Sequence, residues 1–262
     1  MPGCYNPGML IDTHCHLDAA EFAADREQVA ARARAAGVET MVVPAVEYAN
    51  FSDVLACRSN YPGCHAALGI HPMYVGRSRP DDLALMRAAV AQHHPVAIGE
   101  IGLDFFVPDF DAQGQELYFS EQLKIARDFD LPVLLHIRRA QDQVLKHLRR
   151  IRVKGGIAHA FNGSRQQADA FIALGFKLGF GGAMTYPRAT RLRELAATLP
   201  LEAMVLETDS PDMAPEFAAR QRNSPEYLPR IAHILAELRG ISFADVARAT
   251  SANARAVLGS LA

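Results

Sequence analysis

Short apolar runs alternate with longer amphipathic segments along the whole chain. Eight runs have the length of strands, and most of the segments between them have a helical period and end at Gly or Pro, a pattern typical of repeated strand–helix units. The predicted strands are Met9–His14, Glu39–Ala45, His65–Ile70, Pro95–Ile101, Leu131–Ile137, Gly155–Phe161, Phe176–Gly182 and Ala203–Asp209. The predicted helices are Glu21–Ala36, Asn50–Ser59, Asp81–His94, Gln115–Asp130, Gln141–Ile151, Gln166–Leu174, Arg188–Thr198, Pro225–Arg239 and Ser242–Leu258.

Eight units in 262 residues leave about 33 residues for each, which fits one strand–helix repeat and a (β/α)8 barrel of roughly 250 residues. We therefore predict a (β/α)8 TIM barrel that forms a single domain over residues 9–262. An open, doubly wound sheet is the alternative. Residues 1–8 contain two prolines and two glycines and are expected to form a flexible leader.

The composition, 50% hydrophobic and 21% charged, is that of an ordinary folded protein. The four cysteines include no Cys-x-x-Cys pair, and the first residues do not resemble a secretory signal, so we expect a cytoplasmic protein. No apolar stretch approaches the roughly 18 residues of a membrane helix, and no membrane association is expected. A monomer is the default expectation.

Six residues with metal-binding side chains lie at or just beyond the carboxyl ends of predicted strands. They are His14, His16, Glu100, His136, His159 and Asp209. A barrel brings the carboxyl ends of all its strands to one mouth, so residues from distant parts of the chain can meet there. A single histidine in such a position is more often a hydrogen-bonded core residue, but six such residues at strand ends favour a metal centre.

The alternation of side chains along a strand supports this interpretation. His14 and His16 are expected to share one face of the first strand. On the fourth strand, Ile98 and Glu100 are expected to share the inward face. The row that ends in His136 on the fifth strand is otherwise apolar.

Four imidazoles and two carboxylates exceed the three protein ligands of a tetrahedral catalytic site, so we predict two divalent metal ions. The expected division is Glu100 as the bridge, His14, His16 and Asp209 on one ion, and His136 and His159 on the other. Two such ions can activate a water molecule and stabilise both oxygens of a phosphoryl displacement. The imidazole content favours ions such as Zn or Mn over Mg.

Six ordered motifs resemble those of the TatD family of metal-dependent hydrolases, which have an amidohydrolase-like barrel. They are IDTHCHLD (11–18), GIHP (69–72), GEIGLDF (99–105), PVLLHIRR (132–139), HAFNGS (159–164) and ETDSPDMAP (207–215). The resemblance runs from Leu10 to the C-terminus and implies a (β/α)8 barrel, two divalent metals, Mg-supported deoxyribonuclease activity and the same six ligands. Asn162 departs from the serine that the family most often has.

Further residues at the mouth are assigned roles in catalysis and substrate binding. Asp209 is the expected general base, Glu100 the metal-bridging catalytic carboxylate, and His71 binds phosphate or protonates the leaving oxygen. The expected substrate contacts are Arg138, Arg222, Asn223 and Asn162. Glu207 is a candidate for orienting a ligand imidazole, and pairing with an arginine is the alternative.

Two other functions compete with DNA hydrolysis. The first is hydrolysis of an ester, amide or lactone, including deacylation of aminoacyl-tRNA, as in other amidohydrolase-like barrels. The second is a metal-loaded nucleic-acid adaptor without activity. The balance of 27 basic and 29 acidic residues, a net charge of −2, argues against the adaptor and against a long polyanion.

Metal loading changes the charge at the mouth itself. Two divalent ions add four positive charges, and Glu100 and Asp209 remove two, so the loaded mouth carries about +2. We therefore expect short contacts to DNA, at single-stranded or short ends, with the metals holding the scissile phosphate.

Overall fold

The computed structural model describes residues 10–259 and 261, and its eight strands form one parallel sheet in chain order. The strands are β1 (Leu10–Asp12), β2 (Val38–Pro44), β3 (Cys64–Leu68), β4 (Ala97–Asp104), β5 (Val133–Arg138), β6 (Gly156–Ala158), β7 (Phe176–Phe180) and β8 (Met204–Leu206). The α-helices of the described residues are α1 (Arg26–Ala35), α2 (Phe51–Asn60), α3 (Asp82–His93), α4 (Ala112–Asp128), α5 (Gln141–Arg150), α6 (Arg165–Ala173), α7 (Thr190–Thr198), α8 (Leu228–Arg239) and α9 (Phe243–Leu258).

The first and last strands lie next to each other, which makes the sheet a nearly closed barrel. The Thr13 N–H donates to the Leu206 carbonyl at 3.0 Å, and the Asp209 N–H donates to the His14 carbonyl at 2.8 Å. The predicted number of strands and the (β/α)8 class are confirmed. The expected leader, residues 1–8, lies outside the described residues.

Two hydrophobic clusters divide the core. The larger lies between the strands and the surrounding helices, where the amphipathic faces of the helices pack. The smaller contains Ile11, Val42, Ala67, Ala97, Leu134, Ile157, Val205, Ala254 and Leu258. Because seven strands each contribute one residue to this cluster, it is the barrel interior, and α9 contributes the last two residues from the amino end of the barrel.

Two predicted details are wrong. The first helix was expected to begin at Glu21, but residues 20–22 form a short 3-10 turn and α1 begins at Arg26. The Arg26 side chain donates to the Leu17 carbonyl at 2.7 Å and to the Asp18 carbonyl at 2.6 Å. These bonds hold the preceding chain in a loop, so the helix cannot extend toward Glu21.

The second wrong detail is the face assigned to Ile98. Ala97 lies in the inner cluster of the barrel and Ile98 in the outer one. The pairing of β4 with β5 shifts register between Ile98 and Ile101. This irregularity turns Glu100 inward although it is separated from Ala97 by three positions, which regular alternation would not allow.

Candidate metal centre

The six predicted metal-binding residues meet at the carboxyl ends of the strands. His14 and His16 follow β1, Glu100 and His136 lie in β4 and β5, His159 follows β6, and Asp209 lies beyond β8. Five of the six therefore come from short segments at strand ends or from the irregular part of β4. Convergence of strand ends places them around one point.

The Glu100 carboxylate lies at the middle of the cluster and is almost fully buried. Its Oε2 lies 3.1 Å from His14 Nε2 and 3.6 Å from His16 Nε2. Its Oε1 lies 3.0 Å from His136 Nδ1 and 3.7 Å from His71 Nε2. The two oxygens therefore face two separate imidazole pairs, the arrangement that a bridging carboxylate requires.

Asp209 forms the opposite wall of the centre. Its Oδ1 lies 3.5 Å from His159 Nε2, 3.7 Å from His16 Nε2 and 3.8 Å from His14 Nε2. The rings of His14 and His159 are stacked with centroids 3.6 Å apart. A single carboxylate oxygen thus faces three ring nitrogens.

Three overlapping triads of donor atoms, each within 4.8 Å, fit metal ions. They are His14, His16 and Asp209; His14, Glu100 and His159; and His71, Glu100 and His136. His14 Nε2 also lies 3.2 Å from His16 Nε2, so two nitrogen donors point into the same space. This set of imidazole and carboxylate donors suits first-row divalent ions. His71 joins a triad, although the sequence assigned it to substrate.

The charge states of the centre follow from burial and from neighbouring groups. Burial lowers the pKa of His14, and a positive charge on His159 lowers it further. Burial also opposes a charge on His16, but contacts with Glu100 and Asp209 outweigh it and raise its pKa to about 9. Burial acts against ionised Glu100, yet the surrounding imidazoles hold its pKa well below the usual value. The carboxylates are therefore ionised, as ligands must be.

Two carboxylates outside the candidate ligand set lie next to ring nitrogens of the candidate ligand imidazoles. Asp104 Oδ2 lies 2.9 Å from His136 Nε2, and Glu207 Oε1 lies 3.1 Å from His159 Nδ1. Glu207 makes the imidazole contact that the sequence suggested, and it pairs with no arginine in the described chain. A Cβ on Gly179 would lie 2.2 Å from Glu207 Oε2, so only glycine leaves room for this carboxylate.

Sequence reasoning missed Asp104 and the fully buried Asp12. Asp12 accepts hydrogen bonds from the Thr208 N–H at 2.9 Å, the Thr208 hydroxyl at 2.6 Å and the His14 N–H at 3.2 Å. Burial raises the pKa of Asp12 to about 7 against these bonds. The only feature of the sequence that could have indicated their role is that both are acidic residues inside motifs that carry candidate ligands, IDTHCHLD and GEIGLDF. Their bonds fix the segments that carry His14, His136 and Asp209.

Arg138 and Asn162 are exposed near the mouth, as expected for substrate contacts. The Arg138 guanidinium lies 3.7 Å from the centre of the Phe106 ring. Asn162 lines a cavity of about 60 Å³ that Asp209 also borders, and its Oδ1 accepts from Arg191 at 2.9 Å. Asn162 thus borders the same cavity as Asp209, and Arg138 lies two residues beyond His136 on β5.

The structure places the other two predicted substrate contacts differently. Arg222 makes a bidentate pair with Asp25, at 2.7 and 2.8 Å, and donates to the Glu21 carbonyl. Asn223 is fully buried and donates to the carbonyls of Thr208 and Asp212, both at 2.7 Å. Their hydrogen-bonding groups are occupied within the chain, which corrects the expectation that they bind substrate.

The barrel and its convergent donors define a metal-dependent hydrolase with the site at the carboxyl ends of the strands. Residues 11–259 match the model of the TatD-related DNase family. The chain belongs to this family. It is 43% identical over 92% of its length to the metal-dependent hydrolase YjjV of Escherichia coli K12, of which it covers 94%.

Further comparisons agree with this assignment. The chain is 34% identical over 95% of its length to the 3'-5' ssDNA/RNA exonuclease TatD of Klebsiella pneumoniae, of which it covers 98%. The crystal structure of E. coli YjjV superposes with a TM-score of 0.92 at 42% identity, covering 96% of this chain and 98% of that one. An organophosphorus hydrolase of Deinococcus radiodurans, at 15% identity and TM-score 0.66 over 96% and 93% of the chains, shares the fold. Within the described residues, no helix is long and apolar enough to cross a membrane.

Proposed function

We propose that the protein is a metal-dependent phosphodiesterase that hydrolyses single-stranded nucleic acid, with DNA ends as substrate. The observation that carries the proposal is the Glu100 carboxylate, whose two oxygens face separate imidazole pairs. That arrangement suits two adjacent ions, and paired ions are common in enzymes that hydrolyse phosphodiesters. The relative from Klebsiella, with its name of ssDNA/RNA exonuclease, supports the substrate class.

The residues that would hold two divalent ions (Mg, Mn or Zn) are the predicted six. They are His14, His16, Glu100, His136, His159 and Asp209. When bound, such ions lower the pKa of a water molecule and neutralise charge on phosphate oxygens. Asp104 and Glu207 keep two of the imidazoles in the orientation that presents a ring nitrogen to the ions.

Asp209 is proposed to accept the proton of the attacking water. Burial alone would raise its pKa, but the charge of His159 and its other imidazole neighbours keeps the pKa below the usual value, so the group is available as a base. The Met73 N–H donates to His71 Nδ1 at 3.2 Å, which places the ring hydrogen on Nε2. His71 then donates from Nε2 to a substrate oxygen. Arg138 and Asn162 contact the substrate outside the metals.

Hydrolysis of a fluorescent single-stranded DNA oligonucleotide by metal-reconstituted protein tests the proposal. Glu100→Gln is expected to reduce the rate by more than about 100-fold, because outer partners of ligands alone are worth 10- to 100-fold. Metal content, measured on the same samples, is expected to fall from two ions per chain. Glu237→Gln, an exposed glutamate on α8, is the matched control and is expected to retain both properties.

Hydrolysis of simple esters, lactones and aminoacyl-tRNA is measured with the same preparations. Cleavage of these with no cleavage of the oligonucleotide would overturn the proposal in favour of ester hydrolysis. Cleavage of the oligonucleotide at the wild-type rate by the Glu100→Gln variant, or by protein that contains one ion per chain, would contradict the proposed two-metal arrangement.

A further inference from the structure

An exposed aromatic ring with two arginines lies beside the metal centre. Phe106, in the loop between β4 and α4, is 44% exposed. The guanidinium carbons of Arg138 and Arg139 lie 3.7 and 4.6 Å from the centre of its ring. Of the aromatic rings in the described part of the chain, no other has two guanidinium groups within this range. We call these three residues the Phe106 platform.

The Phe106 platform is tied directly to the metal centre. The Phe106 N–H donates to Asp104 Oδ1 at 2.9 Å, and the other oxygen of Asp104 lies 2.9 Å from His136. Arg138 follows His136 by two residues at the end of β5, and its carbonyl accepts from the Phe105 N–H at 2.8 Å. One carboxylate and one strand end therefore fix the platform at the edge of the mouth.

Within the described residues, no carboxylate forms an ion pair with the guanidinium groups of the platform. Arg77 also lies over an aromatic ring, but it makes a bidentate pair with Glu47 at 2.8 and 3.0 Å. Within residues 10–259 and 261, neither Arg138 nor Arg139 makes an ion pair or a side-chain hydrogen bond with another residue. Both are exposed, so their guanidinium N–H groups are free to bind an anion.

We propose that the Phe106 platform binds one unpaired nucleotide next to the scissile bond, with the base against Phe106 and its phosphate on Arg138 and Arg139. Every nucleobase has a face that stacks on an aromatic ring, and guanidinium groups bind phosphate through paired N–H donors. The inference rests on the proposed function and specifies the form of its substrate.

The platform selects single strands because a base in a duplex has its faces covered by neighbouring bases. Phe106 presents a ring that is 44% exposed, and the guanidinium groups of Arg138 and Arg139 lie beside it to bind one phosphate. The chain as a whole carries a net charge of −2, so no broad basic surface would hold a duplex. Both features are consistent with a platform that binds one nucleotide of an oligonucleotide.

Binding of fluorescein-labelled oligo(dT) by the full-length protein, measured by fluorescence anisotropy with chelator present, tests the platform without turnover. Phe106→Ala is expected to weaken binding about tenfold, whereas Phe106→Trp keeps or strengthens it, because the effect depends on an aromatic face. Leu117→Ala is the matched control, since Leu117 is an apolar residue on α4 that is 57% exposed. It is expected to bind normally.

An oligomer of abasic residues separates the two parts of the platform. Phe106→Ala is expected to leave its binding unchanged, because no base is present. Replacement of Arg138 and Arg139 by Gln is expected to weaken both oligomers. It should also reduce the slope of log K against log salt by about 0.7, the value for one phosphate contact on a single strand.

Equal oligo(dT) binding by wild type and Phe106→Ala would overturn the inference, as would an equal loss of abasic binding in that variant. If wild type hydrolyses oligo(dT) while Phe106→Ala binds it normally, the proposed function stands and the platform does not. If the platform residues govern binding but no metal supports hydrolysis, the platform stands and the proposed phosphodiesterase activity does not.

Discussion

The two sides of the barrel mouth differ in how their polar groups are used. The β1–β8 junction comprises Asp12, Thr208, Ser210 and Asn223, and the β4–β5 edge comprises Asp104, Phe106, Arg138 and Arg139. The junction is fully buried, and its side chains bond to one another or to the chain. The edge has one buried carboxylate, and its other side chains are exposed. The buried bonds of the junction fix the segments that carry His14 and Asp209, and the exposed edge is where we propose that the substrate binds.

The largest effect is expected from Asp12→Ala at the junction. The change leaves two buried N–H groups without an acceptor and removes the hydrogen bond that Asp12 accepts from the Thr208 hydroxyl. We expect the free energy of unfolding to fall by about 3–5 kcal/mol, measured by urea denaturation in chelator. Asp12→Asn keeps one acceptor oxygen and should lose less. A similar loss from Arg139→Gln at the edge, where about 0.5 kcal/mol or less is expected, would contradict the comparison.

Asn223→Ala is expected to destabilise the protein by about 2 kcal/mol. It removes two donors to buried carbonyls and the acceptor for the Ser224 N–H. Asn162→Ala, which changes an exposed asparagine, is the control and should stay within about 0.5 kcal/mol in the same denaturation experiment. If Asn223→Ala is as stable as the wild type but binds the oligonucleotide more weakly, the result would support the substrate contact that the sequence suggested.

Asp104→Asn tests whether the edge also supports the metals. Loss of the charge beside His136 is expected to lower metal affinity about tenfold or more, measured by competition with a chromophoric chelator. Asp109→Asn, a change of an exposed carboxylate in the loop that follows β4, should leave the affinity unaltered. Unchanged affinity in Asp104→Asn would show that His136 is oriented without its partner.

The smallest effect is expected at the Arg222–Asp25 pair, which is partly exposed. Arg222→Ala and Asp25→Ala should each lower Tm by less than about 2 °C, and the double variant by less than the sum of the two single losses, because both single changes remove the same ion pair. Neither change is expected to alter the KM for an oligonucleotide. A KM that is higher in Arg222→Ala but not in Asp25→Ala would indicate that Arg222 binds the substrate.

The barrel was predictable because its strands and helices have strong local patterns. The alternation that begins at Leu134 leads to His136, and the same alternation leads from Ile157 to His159. Position at a strand end was therefore enough to place these donors at the mouth. The six motifs contain all six candidate ligand residues.

Contacts between distant segments could not be predicted in this way. Glu100 faces inward through a register shift that no local pattern reveals. Asp12 bonds to Thr208, 196 residues away, and Arg222 bonds to Asp25, 197 residues away. Such partners come together only when the whole chain folds. The residue type therefore indicates what chemistry a side chain can do, but it does not indicate which residue it will bond to.

The helix α9 has a consequence for how a substrate would enter and leave the site. Its residues Ala254 and Leu258 close the amino end of the barrel, and the interior above them is filled with side chains. Within the described residues, the barrel interior therefore forms no channel, and the candidate metal centre is open only at the carboxyl ends of the strands. Under the proposed function, the released product and the remaining strand would leave on the same side.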